Sequence, residues 1–351
     1  MVTIGSDCHL RTSTMSVLDH NGEKIMRSKL DNDPEVLLKF VRQFPHPKQF
    51  AIETCYNWPA VYELLKDEVD EFHLLHAKKL KSIVESQSKC DNNDADEIAR
   101  LTHIGYIPKS YIASAPARQL RRLLRTRINI STEITRNKNR IHALINSSTF
   151  YCQRPKNFKD LFCKRGLEYL KQIPFSPQEQ FLVASLLQEI QSLNELKTQF
   201  DEYVQTLDFH SDDLKYLQTA PAMNGKLFKY ILLAEIDNIN RFKNSGSLAA
   251  YAGLIPKDRS SGEKIRKGHL RTECNKFLKW AIIEAAIPAM RKDPGLRELY
   301  KTTKQRTNTS SAKIAVARTL LISIYHILKE RRPYYSAKPR IAPFVSLSSQ
   351  A

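Results

Sequence analysis

Residues 2–7 read V-T-I-G-S-D, a run of small and β-branched residues that ends on Asp7. Such a run predicts a short β-strand. The segment Q-F-A-I-E-T at 49–54 repeats the pattern, with Glu53 near its end. An acid that closes an apolar strand in the middle of a sheet is costly unless it binds something. The two segments therefore predict a sheet and a functional site at the ends of its strands.

Strand and helix patterns alternate through the rest of the first hundred residues. The predicted strands are at 2–6, 12–18, 24–30, 49–54 and 71–76, and the predicted helices are at 34–44, 59–68 and 77–86. Strands that first meander and then alternate with helices are typical of a mixed sheet covered by helices. We therefore expect an α/β fold for this part of the chain.

A second group of acids lies in the stretch K-C-D-N-N-D-A at 89–95. In a helix, Asp91 and Asp94 are three residues apart, so their carboxylates share one face at about 5–6 Å. The ordinary alternative is that these acids only stabilise a helix, because acids in the first turn interact favourably with the helix dipole. Asp96 falls off the shared face and is predicted to be solvated.

The other acids predicted to lie near Asp91 and Asp94 favour a metal site. Asp7, Glu53, Asp91 and Asp94 would bring four carboxylates from two strand ends and one helix face. Carboxylate oxygens suit Mg²⁺, and two such ions can activate a hydroxyl and stabilise the leaving oxygen of a phosphodiester. The sequence thus predicts a site for two Mg²⁺ ions that acts on a phosphate chain.

The charge of the chain is regional. The formal net charge is +18. Residues 1–100 hold 13 Lys and Arg against 17 Asp and Glu, whereas residues 101–351 hold 42 against 20. Such an asymmetry favours a nucleic-acid partner over mere solubility charge. The six cysteines contain no C-x-x-C pair, so reduced thiols are expected rather than a zinc or disulfide framework.

Two long helices are predicted in the middle of the chain. Residues 118–150 keep apolar residues at helical spacing beneath many cations, and residues 178–208 repeat apolar residues at spacings of three and four. This pattern indicates an antiparallel hairpin or coiled coil, which could also form a dimer seam. The cations predicted to bind nucleic acid on the first helix are Arg118, Arg121, Arg122, Arg125, Lys138 and Arg140.

A basic loop is predicted at 257–272, between a helix at 225–235 and a helix at 273–291. A further helix is predicted at 311–330. The loop contains Ser260-Ser261-Gly262. By local chemistry alone, Ser-Ser-Gly is most simply a turn. Glycine also allows a close backbone approach, and the surrounding cations could hold a phosphate. These cations are Lys257, Arg259, Lys264, Arg266, Lys267 and Arg271.

The acid block and the serine block together resemble the DEDD transposases of the insertion-sequence-110 family, relatives of the Piv-type DNA invertases. The order G-S-D, A-I-E, K-C-D-N-N-D-A and then R-F-K-N-S-G-S-L-A-A-Y-A-G-L-I-P carries the resemblance, over roughly residues 2–330. It implies a RuvC-like RNase H fold at 1–112, a coiled-coil-like helical region at 113–210, a mainly α serine transposase domain at 211–333 and a tail at 334–351.

The resemblance also implies roles for residues. Asp7, Glu53, Asp91 and Asp94 would bind the metal ions, and Ser261, with Ser260 as its close rival, would attack DNA as the nucleophile and hold it as a phosphoserine. The partners implied are DNA at element ends and target, a structured noncoding bridge RNA, and further copies of the chain as a dimer or tetramer. The sequence departs from the family's E-x-T-G with E-T-C-Y at 53–56, and from P-G-I-G with A-P-A-M-N at 220–224.

Two other functions remain open at this point. One is a junction-resolving metal nuclease that uses water and forms no covalent intermediate, and the other is a non-catalytic nucleic-acid scaffold. No run of about 18 uncharged apolar residues occurs, and the N-terminus lacks the order of a secretory signal. We therefore expect a prokaryotic cytoplasmic protein that is associated with the nucleoid and has no membrane partner.

Overall fold

The computed structural model describes residues 1–84, 91–147, 160–209, 211–261 and 264–335. Of residues 81–84, 91–93, 257–261 and 264–269 it describes the backbone only. The chain forms two compact units, Met1–Ile112 and Ala113–Ala351. Within the described residues, the first unit contains a five-stranded sheet with helices, and the second is mainly helical. This is the predicted order of an α/β part followed by a helical part.

The sheet of the first unit is mixed. Its strand order is β3-β2-β1-β4-β5. The first three strands form an antiparallel meander, and β4 and β5 continue the sheet in parallel with β1. The strands are β1 (Val2–Cys8), β2 (Thr12–Leu18), β3 (Lys24–Asp31), β4 (Lys48–Glu53) and β5 (Glu71–Leu75). Five predicted strands are thus confirmed to within two residues at each end.

Helices pack against both faces of this sheet. One face carries Ile4, Phe50 and Ile52 in a core with α1 and α2. The other face carries Ala51, which packs with Ile98 of α4. The helices of this unit are α1 (Pro34–Arg42), α2 (Trp58–Leu65), α3 (Ala77–Val84) and α4 (Asp91–His103). Because side chains alternate along a strand, each buried strand supplies residues to both cores.

The second unit begins with two long helices, α5 (Ala115–Ser147) and α7 (Pro177–Thr206), with α6 (Lys164–Gln172) between them in sequence. Isoleucines of α5, among them Ile134 and Ile141, share a core with Ile190 of α7. The guanidinium of Arg127 also makes two hydrogen bonds of 2.7 and 2.8 Å to the Asp201 carboxylate. The predicted pair of long helices is present, and its two members pack on each other.

The remaining helices surround a second core. They are α8 (Asp213–Leu217), α9 (Lys226–Ile236), α10 (Ser245–Tyr251), α11 (Lys276–Lys292), α12 (Pro294–Arg306) and α13 (Thr309–Glu330). In the described part of the chain, α13 is the one helix long and apolar enough to cross a membrane. Half of its apolar window is buried, and Val316, Leu320 and Ile324 pack in this core. The same composition is expected of a core helix.

The structure corrects two predictions in the second unit. Residues 257–272 were expected to be a loop, but β6 (Pro256–Ser261) and β7 (Lys264–Leu270) form an antiparallel hairpin there. Helix α12, at 294–306, was not predicted from the sequence. The regions predicted as 113–210 and 211–333 belong to one compact unit, in which Leu124 of α5 and Val204 of α7 share a core with Ile231 of α9. Most of the predicted irregular tail, from residue 336 on, lies outside the described residues.

Candidate functional site

Asp7 and Glu53 lie side by side at the ends of two parallel strands. The β1–β4 register pairs Gly5 with Ala51 and Ser6 with Ile52, so the next residue of each strand is one of the two acids. Alternation along the strands places both acids on the sheet face that carries Gly5 and Ala51. This is the face that α4 covers.

Helix α4 runs antiparallel to β1 across this face. Its last residue, His103, lies near the start of the strand, with Nδ1 3.4 Å from the Thr3 hydroxyl oxygen. Near the middle of both elements, a Cβ on Gly5 would lie 2.3 Å from the Ala99 nitrogen and 2.7 Å from the Ala95 oxygen. Only a residue without a side chain allows this approach.

The position of this crossing determines how far along β1 the N-terminus of α4 reaches. From Gly5 to Asp7 the strand advances about 6.6 Å, which matches the rise of about four residues of helix. The contact with Gly5 lies between Ala95 and Ala99, so four residues earlier is about residue 93, which lies between Asp91 and Asp94 near the start of α4. The backbone that carries Asp91 and Asp94 therefore lies level with the strand ends that carry Asp7 and Glu53.

The described side chains do not by themselves complete a metal site. Asp7 is largely buried and lies 3.2 Å from the imidazole Nε2 of His9, whereas Asp94 is exposed. Among the side chains that the structure describes, no three from His, Cys, Asp and Glu form a group that could hold a metal ion. The side chain of Asp91 lies outside the described set. The side chains of Asp7, Glu53 and Asp94 are described and do not form such a group by themselves, so the Mg²⁺ site stays a prediction that rests on the chemistry of the carboxylates.

Asp96 has a structural role that the sequence analysis missed. It was predicted to be solvated, but its carboxylate pairs with Lys24 at 3.0 Å and with Arg27 at 3.3 Å. Burial alone would raise the pKa of Asp96, but the Ser16 hydroxyl and the two cations of β3 outweigh burial and lower it. Asp96 thus ties α4 to the meander and helps to fix the helix over the sheet.

Two thiols lie next to the acids. The Cys8 Sγ accepts a hydrogen bond of 3.1 Å from the Ser13 hydroxyl. Both Cys8 and Cys55 place their Sγ atoms 3.2 Å from the Asn57 Oδ1. The Cys55 thiol lowers the pKa of Cys8 to about 6 despite burial, and the same contact raises the pKa of Cys55. Cys8 and Cys55 are free thiols that pack beside the strand ends.

The two candidate serines lie at the end of β6. The register pairs Ser260 with Ile265 and Ser261 with Lys264, so both serines precede the turn of the hairpin. The structure describes only the backbone here, so the choice between the two serines stays a prediction.

The base of this hairpin is held tightly. Gly253 has a φ of +67°, and a Cβ there would meet the Cys274 Cβ and Sγ at 2.6 Å. The backbone N–H of Asn275 donates to the Tyr251 carbonyl at 2.7 Å. The Asn275 Oδ1 accepts from the backbone of Phe277 and caps α11. These contacts hold the residues on either side of the hairpin against each other.

A buried carboxylate connects this base to the basic helix α5. Glu235 is 2% exposed and accepts two hydrogen bonds of 2.7 Å from the guanidinium of Arg125. The Asn275 amide donates to its Oε2 at 2.7 Å, and Arg121 lies 3.6 Å away. Burial alone would lower the pKa of both arginines. The hydrogen bonds to Glu235 raise the pKa of Arg125, whereas at the more distant Arg121 burial dominates and the pKa is lowered.

The predicted nucleic-acid residues of α5 differ in their environments. Arg118 donates to the Ala113 carbonyl, Arg140 to the Asn137 side chain, and Arg121 to the Ala234 and Glu235 carbonyls. Lys138 lies over the Phe162 ring at 4.8 Å. Arg122 is exposed. Nucleic-acid binding by these residues stays a prediction, and the internal bonds of Arg121 and Arg125 weaken it for those two.

The predicted cations around the serines lie on the hairpin. Arg271 is exposed. For the other five, which are Lys257, Arg259, Lys264, Arg266 and Lys267, the structure gives the backbone position only. The hairpin register pairs Arg259 with Arg266 and Asp258 with Lys267. Five of the six cations therefore lie on β6 and β7 themselves.

Comparison with known proteins identifies the chain. Residues 4–149 match the family model of DEDD transposases of the IS110 type, and residues 214–301 match the model described as the IS116/IS110/IS902 transposase family. These two models, matched in order, place the chain in the class of insertion-element transposases. The chain belongs to the IS110 family.

Individual relatives agree with this assignment. The chain is 24% identical over 159 residues to the insertion element IS116 uncharacterized 44.8 kDa protein of Streptomyces clavuligerus, a match that covers 45% of this chain and 40% of that protein. It is 26% identical over 168 residues to the insertion element IS110 uncharacterized 43.6 kDa protein of Streptomyces coelicolor, covering 48% and 41%. It is 28% identical over 144 residues to the pilin gene-inverting protein of Moraxella lacunata, covering 39% and 44%. The chain thus spans about two fifths of each of these relatives.

Proposed function

We propose that this protein is a DNA recombinase that cuts and rejoins DNA at the ends of an insertion element and at its target. The placement of α4 carries the proposal. The antiparallel crossing at Gly5 brings the start of α4 level with Asp7 and Glu53. A carboxylate site at this end of the sheet is what phosphodiester chemistry needs.

The N-terminal unit is proposed to be a RuvC-like domain of the RNase H fold. Its strand order, with an antiparallel meander followed by parallel strands, supports this assignment. In the proposed site, Asp7, Glu53, Asp91 and Asp94 would hold two Mg²⁺ ions. The bound ions would supply charge stabilisation for a phosphodiester and lower the pKa of a coordinated hydroxyl.

The proposed nucleophile is Ser261, in the second unit. Its Oγ forms an ester bond to phosphorus as the bond from phosphorus to a deoxyribose oxygen breaks. The serine proton leaves, and the departing oxygen takes up a proton. Attack by a hydroxyl of a second strand then restores the serine, so phosphate bonds are exchanged rather than lost. The cations of the hairpin would neutralise the phosphate during this exchange.

The protein is also proposed to act as a homo-oligomer with a structured noncoding bridge RNA as guide. Helix α7 supports the oligomer, because it exposes large apolar side chains. Phe181 is 73% exposed, Tyr203 is 55% exposed, and Leu182 and Leu196 are exposed as well. Such a stripe on a long helix fits a seam between copies. The excess of cations in residues 101–351 is compatible with RNA and DNA alike.

The test of this function is recombination of element-end DNA with target DNA by the purified protein with its RNA and Mg²⁺. We expect Ser261→Ala and Asp91→Asn each to abolish recombination while DNA binding is retained. Ser260→Ala serves as the matched control for the serine and should remain active. Full activity of Ser261→Ala or of Asp91→Asn contradicts the assignment.

A junction-resolving nuclease is the second candidate, because the acids alone could activate water. It predicts cut DNA without a protein–DNA adduct, so denaturing gels of trapped reactions separate the two mechanisms. A non-catalytic scaffold predicts that binding survives replacement of all four acids and that no strand is cut.

A further inference from the structure

Helix α12 carries a stripe of exposed cations that the proposed chemistry does not use. Arg297, Lys301 and Lys304 are all exposed, and the guanidinium of Arg297 also donates to the Met290 and Arg291 carbonyls at 3.1 and 2.7 Å. Their spacings of four and three residues put them on one face of the helix, within about one sixth of a turn on either side of Arg297. We call these three residues the α12 stripe. Leu296, about 100° around the helix from Arg297, is fully buried and anchors the helix.

The charge around the stripe is unbalanced. Residues 291–306 contain six Lys and Arg against two acids, Asp293 and Glu298. Asp293 is buried, where it caps α12 and accepts from the Tyr334 hydroxyl at 2.7 Å. Glu298 accepts from Thr302 of its own helix. Within the described residues, no ion pair joins the stripe to an acid.

This arrangement differs from that of α5, where Arg125 and Arg127 have carboxylate partners. Like charges three and four residues apart destabilise a helix. An unneutralised stripe therefore favours a polyanionic partner, which would replace the missing counter-charges. Lysines and arginines that contact phosphates act in this way in nucleic-acid complexes.

The form of the surface favours duplex DNA over RNA. Single-stranded nucleic acid is bound mainly through stacking of bases on exposed aromatic rings. None of the exposed large hydrophobic residues of the described chain lies on α12 itself, the nearest in sequence being Tyr335, and Lys304 covers the ring of Tyr300 at 6.0 Å. The major groove of B-form DNA is wide enough to admit a helix, whereas the major groove of A-form RNA is too narrow.

From these observations we infer that the α12 stripe is a phosphate-contacting surface for duplex DNA, separate from the serine hairpin. It includes positions beyond the family match, which ends at Lys301. The surface positions DNA by its backbone and carries no base specificity. It rests on charge, exposure and helix geometry, so it stands or falls independently of the serine chemistry.

The test is the salt dependence of duplex DNA binding by the full chain, measured for wild type and for the double variant Lys301→Gln/Lys304→Gln. Removal of two phosphate contacts should make the slope of log affinity against log salt less steep by about 1.8. The matched control is Lys164→Gln/Lys171→Gln, which removes two exposed lysines from α6 of the same unit and should leave the slope unchanged.

Several outcomes overturn the inference. These are an unchanged slope in the α12 variant, an equal change in both variants, or no binding of duplex DNA by the wild type. A loss confined to RNA binding would also overturn it and make RNA the partner. The variant Ser261→Ala separates the two proposals: if it keeps the wild-type slope, the surface stands even where recombination through the serine fails.

Discussion

Gly5 determines how closely α4 packs on the sheet. Because glycine has no side chain, the backbone of α4 lies directly on β1. The helix residues at this contact, Ala95 and Ala99, have small side chains and are fully buried. The sequence V-T-I-G-S-D predicted the strand and the acid but gave no reason to single out this glycine. Its importance depends on a helix some ninety residues later in the chain, which a local pattern cannot reveal.

Gly5→Ala should therefore destabilise the N-terminal unit. The added Cβ meets backbone atoms, which cannot move aside as a flexible side chain would, so we expect a loss of about 2 kcal/mol in the free energy of unfolding. Urea denaturation of the full chain measures it. Gly225→Ala is the control, because no other part of the described chain lies within 4 Å of the added Cβ, and as a change at the N-cap of α9 it should cost no more than about 1 kcal/mol. Wild-type stability of Gly5→Ala would contradict the packing.

In the second unit, we expect the packing to depend on Glu235 as the packing of the first unit depends on Gly5. Glu235→Gln removes the charge that compensates Arg125 in a buried site, and breaking such a pair costs about 3 kcal/mol. The comparison is Glu133→Gln, which breaks an exposed pair with Arg136 on α5 and should cost less than about 1 kcal/mol. Thermal and urea unfolding measure both. Equal effects of the two changes would show that Glu235 does not organise the unit.

At the scale of elements, periodic patterns in the sequence predicted the strands and helices that have a regular apolar spacing. The strands of the first unit and the helices α5, α7, α9, α11 and α13 follow from alternation and from apolar spacing. The hairpin β6–β7 was missed because its strands are rich in cations and lack an apolar alternation. Helix α12 was missed because it buries little more than Leu296. Both elements are specified by their neighbours in the fold rather than by their own pattern.

Helix α5 combines structural and exposed cations, and substitutions should separate them. Arg127→Gln should lower stability, since Arg127 is 8% exposed and paired with Asp201. Arg122→Gln should leave stability within about 0.5 kcal/mol of wild type and weaken nucleic-acid binding, because its side chain faces solvent. Unfolding curves and binding isotherms for both variants check this. An Arg122→Gln variant that binds DNA and RNA like wild type would remove α5 from the proposed surface.

Helix α7 should determine the oligomeric state. Leu196→Glu puts a charge in the exposed apolar stripe and is expected to shift the protein toward smaller species in sedimentation velocity. Gln205→Glu introduces the same charge at an exposed polar position on another face of the same helix and should have no such effect. If both variants sediment like wild type, the seam lies elsewhere.

At the scale of the whole molecule, the proposed chemistry divides between two units. The carboxylates belong to Met1–Ile112 and the serine hairpin to Ala113–Ala351. The order of the two blocks was predictable from the sequence, and the family matches agree with it. What the sequence could not provide is the antiparallel path of α4, the hairpin that carries the serines and the Glu235 network at its base, because each depends on contacts between distant residues.

Metal removal should separate binding from chemistry in the intact protein. Because cations of the second unit are proposed to hold the phosphates, EDTA should leave DNA binding within about twofold of its original affinity. Strand cleavage should stop, because the proposed carboxylate site acts only with Mg²⁺. Filter binding and denaturing gels of the same samples measure the two effects. Cleavage that continues in EDTA would contradict the role of the four acids.

The most direct measurement is mass spectrometry of the peptide that becomes joined to DNA when a reaction with element-end DNA and Mg²⁺ is stopped by denaturation. The account predicts a phosphodiester-linked nucleotide on Ser261 in the wild type and no adduct in Asp91→Asn. DNA that is cut with no nucleotide on any serine of the hairpin would contradict it.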